Sequence, residues 1–215
     1  MAYKKYGMRK RTVRRKRYNK KAATGWKNLA YKAFKTAKFV AGLVNAEAKY
    51  FEANLTATAQ TYNGQIVPLC YPSQGIAVNQ REGDSIKMKN LTIRGDIVFN
   101  GTNSETVRLI IFNDKENQAT TAGDILEYTG SSLSVYSGKN PNLRFDSKIL
   151  YDKTFIIDAN TPIRKFDVVL KIGLHVNFAA GTTTINNNAL KILIIGQNAS
   201  GSLVQFISKT TYLDN

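Results

Sequence analysis

Charge is divided along this chain too sharply for a single uniform globule. Residues 1–49 carry 16 Lys and Arg against one acid, Glu47, whereas residues 50–215 carry 15 bases against 14 acids. The front is therefore +15 and the remainder +1, so the net charge of +16 sits almost wholly in the first quarter of the chain. Solvated surface charge spreads along a sequence. Segregation of this kind predicts a tail that binds a polyanion and a body that builds a core. Within residues 1–24, the predicted arm, the bases are Lys4, Lys5, Arg9, Lys10, Arg11, Arg14, Arg15, Lys16, Arg17, Lys20 and Lys21, with no acid and few aliphatic residues. Such a segment buries too little apolar area to offset the entropy of ordering it, and is expected to stay disordered until phosphates neutralise it. These eleven side chains are candidate nucleic-acid contacts. Tyr3, Tyr6 and Tyr18 lie among them and offer rings on which unpaired bases can stack.

The pattern changes to helix from Gly25 to about Ala46, within a predicted hinge of residues 25–49. Thr24 is positioned as an N-cap, and Trp26, Leu29, Ala33, Ala37, Val40, Ala41 and Val44 recur at helical spacing. Lys27, Lys32, Lys35 and Lys38 gather on the opposite side and join the candidate nucleic-acid contacts. A basic amphipathic helix can lie on a membrane surface, pack on a domain or run along nucleic acid, and spacing does not choose among these. Its place between arm and body favours a hinge that dips into bound nucleic acid. Apolar runs such as Ala189 to Gly196 are too short and interrupted to span a bilayer, and the N-terminus has no signal-peptide core. No membrane insertion is expected.

Beyond Lys49 the usage shifts to Val, Ile, Thr, Phe and Tyr between turn residues at short intervals, the pattern of an all-β sandwich or barrel. Eight strands are predicted in residues 50–215: 50–60, 65–71, 84–99, 106–112, 148–157, 163–172, 190–195 and 203–209. In the first, Phe51, Ala53, Leu55, Ala57 and Ala59 alternate with polar residues. Asn63-Gly64 signals a hairpin turn, and Pro68 places the second strand at an edge or bulge. In the third strand the apolar phase switches between Met88 and Leu91, which requires a bulge near Lys89 and Asn90. Residues 115–146 form a long connection with a short helix expected at 122–128. That connection and the loop at 178–188 are candidate outer surface or subunit contacts. Unequal connections between antiparallel strands point to one eight-stranded jelly roll of two four-stranded sheets rather than a meander.

Enzyme chemistry finds little to work with. Triads and zinc sites need converging His or Cys, and the chain has one of each, His175 and Cys70. His175 reads as a strand or loop residue and Cys70 as a small buried hydrophobe. There is no phosphate-cradling glycine loop and no dinucleotide fingerprint. Asp84, Asp96, Asp146, Asp152, Asp158 and Asp167 are scattered singly, as solvated faces and turns; a pair joined by folding or at a subunit contact would suit calcium. No catalytic residue, cofactor or metal is assigned. Four Asn-x-Ser/Thr sequences, at Asn54, Asn90, Asn100 and Asn198, read as strand Thr and turn Asn.

Three stretches carry a family likeness: Lys49-Tyr50-Phe51, the run from Gln80 to Phe99 (QREGDSIKMKNLTIRGDIVF), and Val107 to Lys115 (VRLIIFNDK). Together with the arm they resemble the capsid proteins of small circular single-stranded DNA viruses that encode a rolling-circle replication protein. The layout is more distantly similar to the satellite tobacco necrosis virus coat protein. The resemblance implies a virion protein that forms an icosahedral shell of about 60 copies with its arms pointing inward onto a single-stranded DNA genome. It also implies a structural Arg81, a turn at Gly83, and a host receptor of unknown kind. The basic cluster of residues 10–21 would further serve as a nuclear localisation signal. Two other classes remain beside this one. A cellular nucleic-acid binder of ribosomal or chromatin type would carry bases on its folded surface too, which the body's +1 opposes. A trimeric cytokine-like sandwich would have no use for the arm.

Overall fold

Branched and aromatic residues alternate with polar ones through most of the chain after residue 47, and there the backbone is almost entirely strand and loop. The computed structural model describes residues 25–36, 48–128, 133–141, 147–198 and 201–214. Residues 25–36 form a helix, α1, in the unit that ends at Asn45; the strands belong to a second unit, Ala46–Asn215. The predicted arm and the second half of the predicted helix lie outside the described residues.

Among the described residues nine strands follow: β1 (Ala48–Ala59), β2 (Gln65–Pro68), β3 (Ser85–Val98), β4 (Glu105–Asp114), β5 (Ser147–Ile157), β6 (Ile163–Phe178), β7 (Ile185–Asn187), β8 (Ala189–Gly196) and β9 (Leu203–Asp214). They pair antiparallel into two sheets. Sheet A has the order β1-β9-β3-β6-β7 and sheet B the order β2-β8-β4-β5, an arrangement consistent with an all-β jelly roll.

Each of the eight expected strands has its counterpart, and the differences have local causes. Sheet A gains β7, three residues whose single apolar member, Ile185, left no periodic signal. The strand expected to end at Ile172 runs on to Phe178, because Gly173 takes a left-handed φ of 64° and carries the chain through a register shift. The Asn63-Gly64 turn is present, with Gly64 at φ 69° and its amide donating to Thr61 O at 3.0 Å. It joins no hairpin, however: β1 pairs with β9 and β2 with β8, so this turn moves the chain from one sheet to the other. The alternation expected throughout β1 shifts between Leu55 and Thr58, leaving Ala57 and Ala59 exposed. The helix expected at 122–128 shrinks to a single 3-10 turn, Ala122–Asp124, because Ile125 and Leu126 turn inward to be buried instead. β2 lies at the edge of sheet B, where Pro68 costs no ladder bond. The expected bulge falls between Met88 and Asn90.

The main core fills the space between the sheets. Ile86, Leu91, Ile93, Ile97 and Phe206 from sheet A meet Val107, Leu109, Ile111, Ile192 and Ile194 from sheet B. Cys70 is fully buried with them, and that burial pushes its thiol pKa up, outweighing the hydrogen bond it shares with Thr210. A second core lies on the other side of sheet B, where Ile110, Phe112, Leu193 and Ile195 are covered by Ala119, Ala122, Ile125, Leu126 and Val135 of the 115–141 connection. This explains why β4 and β8 are apolar on both faces and read as unbroken runs. Among the described residues none covers the outward face of sheet A in this way, and Val169 and Ile207 are exposed there.

Candidate nucleic-acid interface

Of the candidate contacts, Lys27, Lys32 and Lys35 lie on α1 and all three are exposed. Helical spacing places them on one side, with Trp26, Leu29 and Ala33 on the other. Tyr31 shares the lysine side, and the Lys35 ammonium lies 5.6 Å from its ring centroid. Thr36 Oγ1 donates to Lys32 O at 3.0 Å, a bond back into the preceding turn. The side therefore offers cations and an aromatic ring together, the combination that tracks a phosphate backbone and stacks a base. Lys4, Lys5, Arg9, Lys10, Arg11, Arg14, Arg15, Lys16, Arg17, Lys20, Lys21 and Lys38 lie outside the described residues.

The basic segment enters the body at β1, and the entry is pinned by a lysine that sequence reasoning did not single out. Lys49 is buried, with its ammonium 2.9 Å from Glu82 Oε1 and 3.1 Å from Asp214 Oδ2. The Glu82 amide donates to the same Asp214 oxygen at 2.6 Å, and the Tyr50 amide donates to Val78 O at 3.2 Å. Burial works to lower the Lys49 pKa, but the hydrogen bonds to Glu82 and Asp214 outweigh it and hold the ammonium above its ordinary value. The start of β1, the 71–84 loop and the end of β9 are thus tied at one point.

Arg81, expected to be structural, closes that loop from behind. Its fully buried guanidinium donates to Gly83 O and Thr182 O, the latter at 2.6 Å, and lies 4.4 Å from the Phe178 ring centroid. Asp84 Oδ1 and Ala179 O are each 3.3 Å away. The backbone seals the turn with Gly75 N to Arg81 O at 2.8 Å and Arg81 N to Ser73 O at 2.9 Å.

Two further clasps hold the 115–141 connection on sheet B. Lys191 Nζ lies 2.8 Å from Asp114 Oδ2 and 2.9 Å from Ala119 O, and the Ala119 amide donates to that same carboxylate oxygen at 2.8 Å. Arg108 makes a two-point pair with Asp152, both contacts at 2.8 Å, and donates to Val135 O and Ser137 O. The Arg108 hydrogen bond, working against burial, holds the Asp152 carboxyl below its usual range. A depressed carboxyl contributes stability that is present above the unfolded value, about 3.9, and lost as pH falls through the folded one. Urea midpoints of the wild-type chain are therefore expected to fall more steeply below pH about 4 than those of Asp152→Asn. Parallel pH profiles for the two would dismiss the clasp as a source of acid sensitivity.

His175 is an exposed β6 residue opposite Lys87. Among the described residues no group of three His, Cys, Asp or Glu is gathered to hold a metal ion. Nor is any helix among them long and apolar enough to cross a membrane.

The family model of the satellite tobacco necrosis virus coat protein matches residues 16–215. The chain belongs to that coat-protein family. Membership supports a viral coat-protein function and a structural, non-enzymatic role. No curated protein matches the sequence. Among solved structures, Desmodium yellow mottle tymovirus is 12% identical, with 78% of this chain and 86% of that chain covered at a TM-score of 0.40. Dimeric latent PorU from Porphyromonas gingivalis is 10% identical, with 80% and 14% covered at 0.32. The T13 IBDV viral particle is 14% identical, with 76% and 39% covered at 0.16. At such scores these three likenesses carry no weight.

Proposed function

We propose that this chain is a capsid protein that assembles into a closed icosahedral shell of about 60 copies and packages a single-stranded genome through its basic N-terminal segment. The observation that carries this reading is the partition of charge within a coat-protein family member: +15 in residues 1–49 and +1 in the rest. With about 60 copies, the segments supply on the order of 900 positive charges, comparable to the phosphates of a genome of roughly one or two thousand nucleotides. The contacts are to phosphates, so binding is strongly salt-dependent and carries little sequence preference. Residues 1–24 act as the arm, 25–49 as the hinge and 50–215 as the shell domain. Residues 10–21 double as a nuclear import signal during assembly.

Two readings of the genome stand side by side. Single-stranded circular DNA is favoured by the resemblance of the arm and the 49–115 region to capsid proteins of small DNA viruses. The matching family favours the RNA of a small satellite virus equally. Digestion of the extracted contents by DNase or by RNase separates the two.

The packaging test is electron microscopy of the purified chain before and after deletion of residues 2–21, with the ultraviolet absorbance ratio and nuclease protection read alongside. Uniform closed shells that protect nucleic acid, with protection lost on deletion, are the expected result. A monodisperse monomer that still binds nucleic acid would instead make the chain a non-specific binder.

A further inference from the structure

The outward face of sheet A carries its bases unevenly. Towards one end they are matched: Arg94 Nε lies 3.1 Å from Asp167, Lys209 Nζ lies 3.6 Å from Glu52, and Lys165 stands opposite Asp96 in register. At the bulge the matching stops. Met88 pairs with Leu174 and Asn90 with Lys171, so Lys89 lies beside Gly173, with Lys87 opposite His175 in the next outward row. Lys87 is half-buried, while Lys89, Asn90, Lys171 and His175 are exposed. Among the described residues none of the three lysines is in an ion pair, and no acid occupies the adjoining outward positions of β3, β6 or β9.

The backbone produces this cluster. Against β9, β3 has one residue too many, and the surplus puts Lys89 and Asn90 outward in succession where strict alternation would show one of them. Gly173, at φ 64°, has no side chain to occupy the space beside Lys89. A body of net charge +1 thus concentrates three cations without an ion-pair partner among the described residues in one patch of sheet A, and that patch is complementary to a polyanion. The other sheet's outward face is covered by the 115–141 connection, and β1, through which the basic segment enters, belongs to sheet A.

We propose that the open face of sheet A at the β3–β6 bulge is a second nucleic-acid contact, in which Lys87, Lys89 and Lys171 bind phosphates of the packaged strand. This rests on the packaging function proposed above and places the shell domain itself, not only the basic segment, against the genome.

The test is a salt titration of the full-length chain, dissociated to subunits, with a fluorescent oligothymidylate. Each phosphate contact on a single strand adds about 0.7 to the slope of log K against log salt. The triple variant Lys87→Gln, Lys89→Gln, Lys171→Gln is expected to flatten the slope by about 2, and Lys171→Gln alone by about 0.7. The charge-matched control Lys139→Gln, Lys148→Gln, Lys153→Gln, with its exposed lysines on the sheet B side, is expected to keep the wild-type slope. Equal, non-zero slopes for wild type and both sheet A variants overturn the contact while leaving packaging by the basic segment intact. A wild-type slope near zero overturns both. Loss of heparin binding by intact triple-variant shells, with an unchanged oligonucleotide slope, assigns the patch to the outer surface and also overturns the proposal.

Discussion

Replacing Asp114 with alanine is expected to lower the unfolding free energy by about 3–5 kcal/mol, the range for removing one partner of a buried pair. The Asp114 and Lys191 side chains are 2% and 10% exposed, so the surviving ammonium would stay largely buried, donating to Ala119 O. The damage extends beyond the charge. The lost carboxylate also receives the Ala119 amide, so the chain leaving β4 loses the bond that turns it over sheet B and onto the second core. The measurement is a urea unfolding curve for Asp114→Ala, Lys191→Met and the double variant. Because the cost lies in the orphaned group, the double variant should be less destabilised than Asp114→Ala alone. If instead the two single effects simply add, the pair is not acting as a unit.

The second large effect is expected at Arg81. Arg81→Met keeps bulk against Phe178 but strips the donors from Gly83 O and Thr182 O, and the loss is expected to be about 3 kcal/mol. Arg81→Lys should recover less than half of it, because a single ammonium does not reproduce a planar fork reaching the 71–84 and 179–184 loops together. Urea curves give the size of the loss, and limited proteolysis gives its place, with new cleavage in those two loops. A methionine variant within about 0.5 kcal/mol of wild type, with no new cleavage, would leave Arg81 no structural role.

What the sequence made legible follows from how local each signal is. Strand existence is a local matter of side-chain alternation, so β3 and β6 announced themselves, and even the bulge was visible as the change of phase from Met88 to Leu91. β7 was invisible because three residues cannot show a period. The Asn63-Gly64 turn was readable as a turn but not as a change of sheet, since the partner of a strand is set by residues far away in sequence: β1 meets β9. The same reason governs the charged groups. Nothing near Lys49 or Lys191 says that it is buried, because the acids of Lys49 stand 33 and 165 residues away and that of Lys191 stands 77 away. Lys87, Lys89 and Lys171 look like ordinary strand lysines until register puts them side by side.

The position of β9 fixes the order of events during synthesis. Among the nine strands described it is made after the other eight, yet it lies between β1 and β3 and contributes Val204, Phe206 and Tyr212 to the core. Until it arrives, β1 has no strand to pair with and one edge of β3 is bare, so sheet A cannot close while residues 203–214 are still being made. The basic segment, translated before every strand of the body, is therefore available to cellular polyanions before the shell domain can fold. A chain that stops short of β9 would present two unpaired strand edges, an invitation to aggregate rather than a smaller building block.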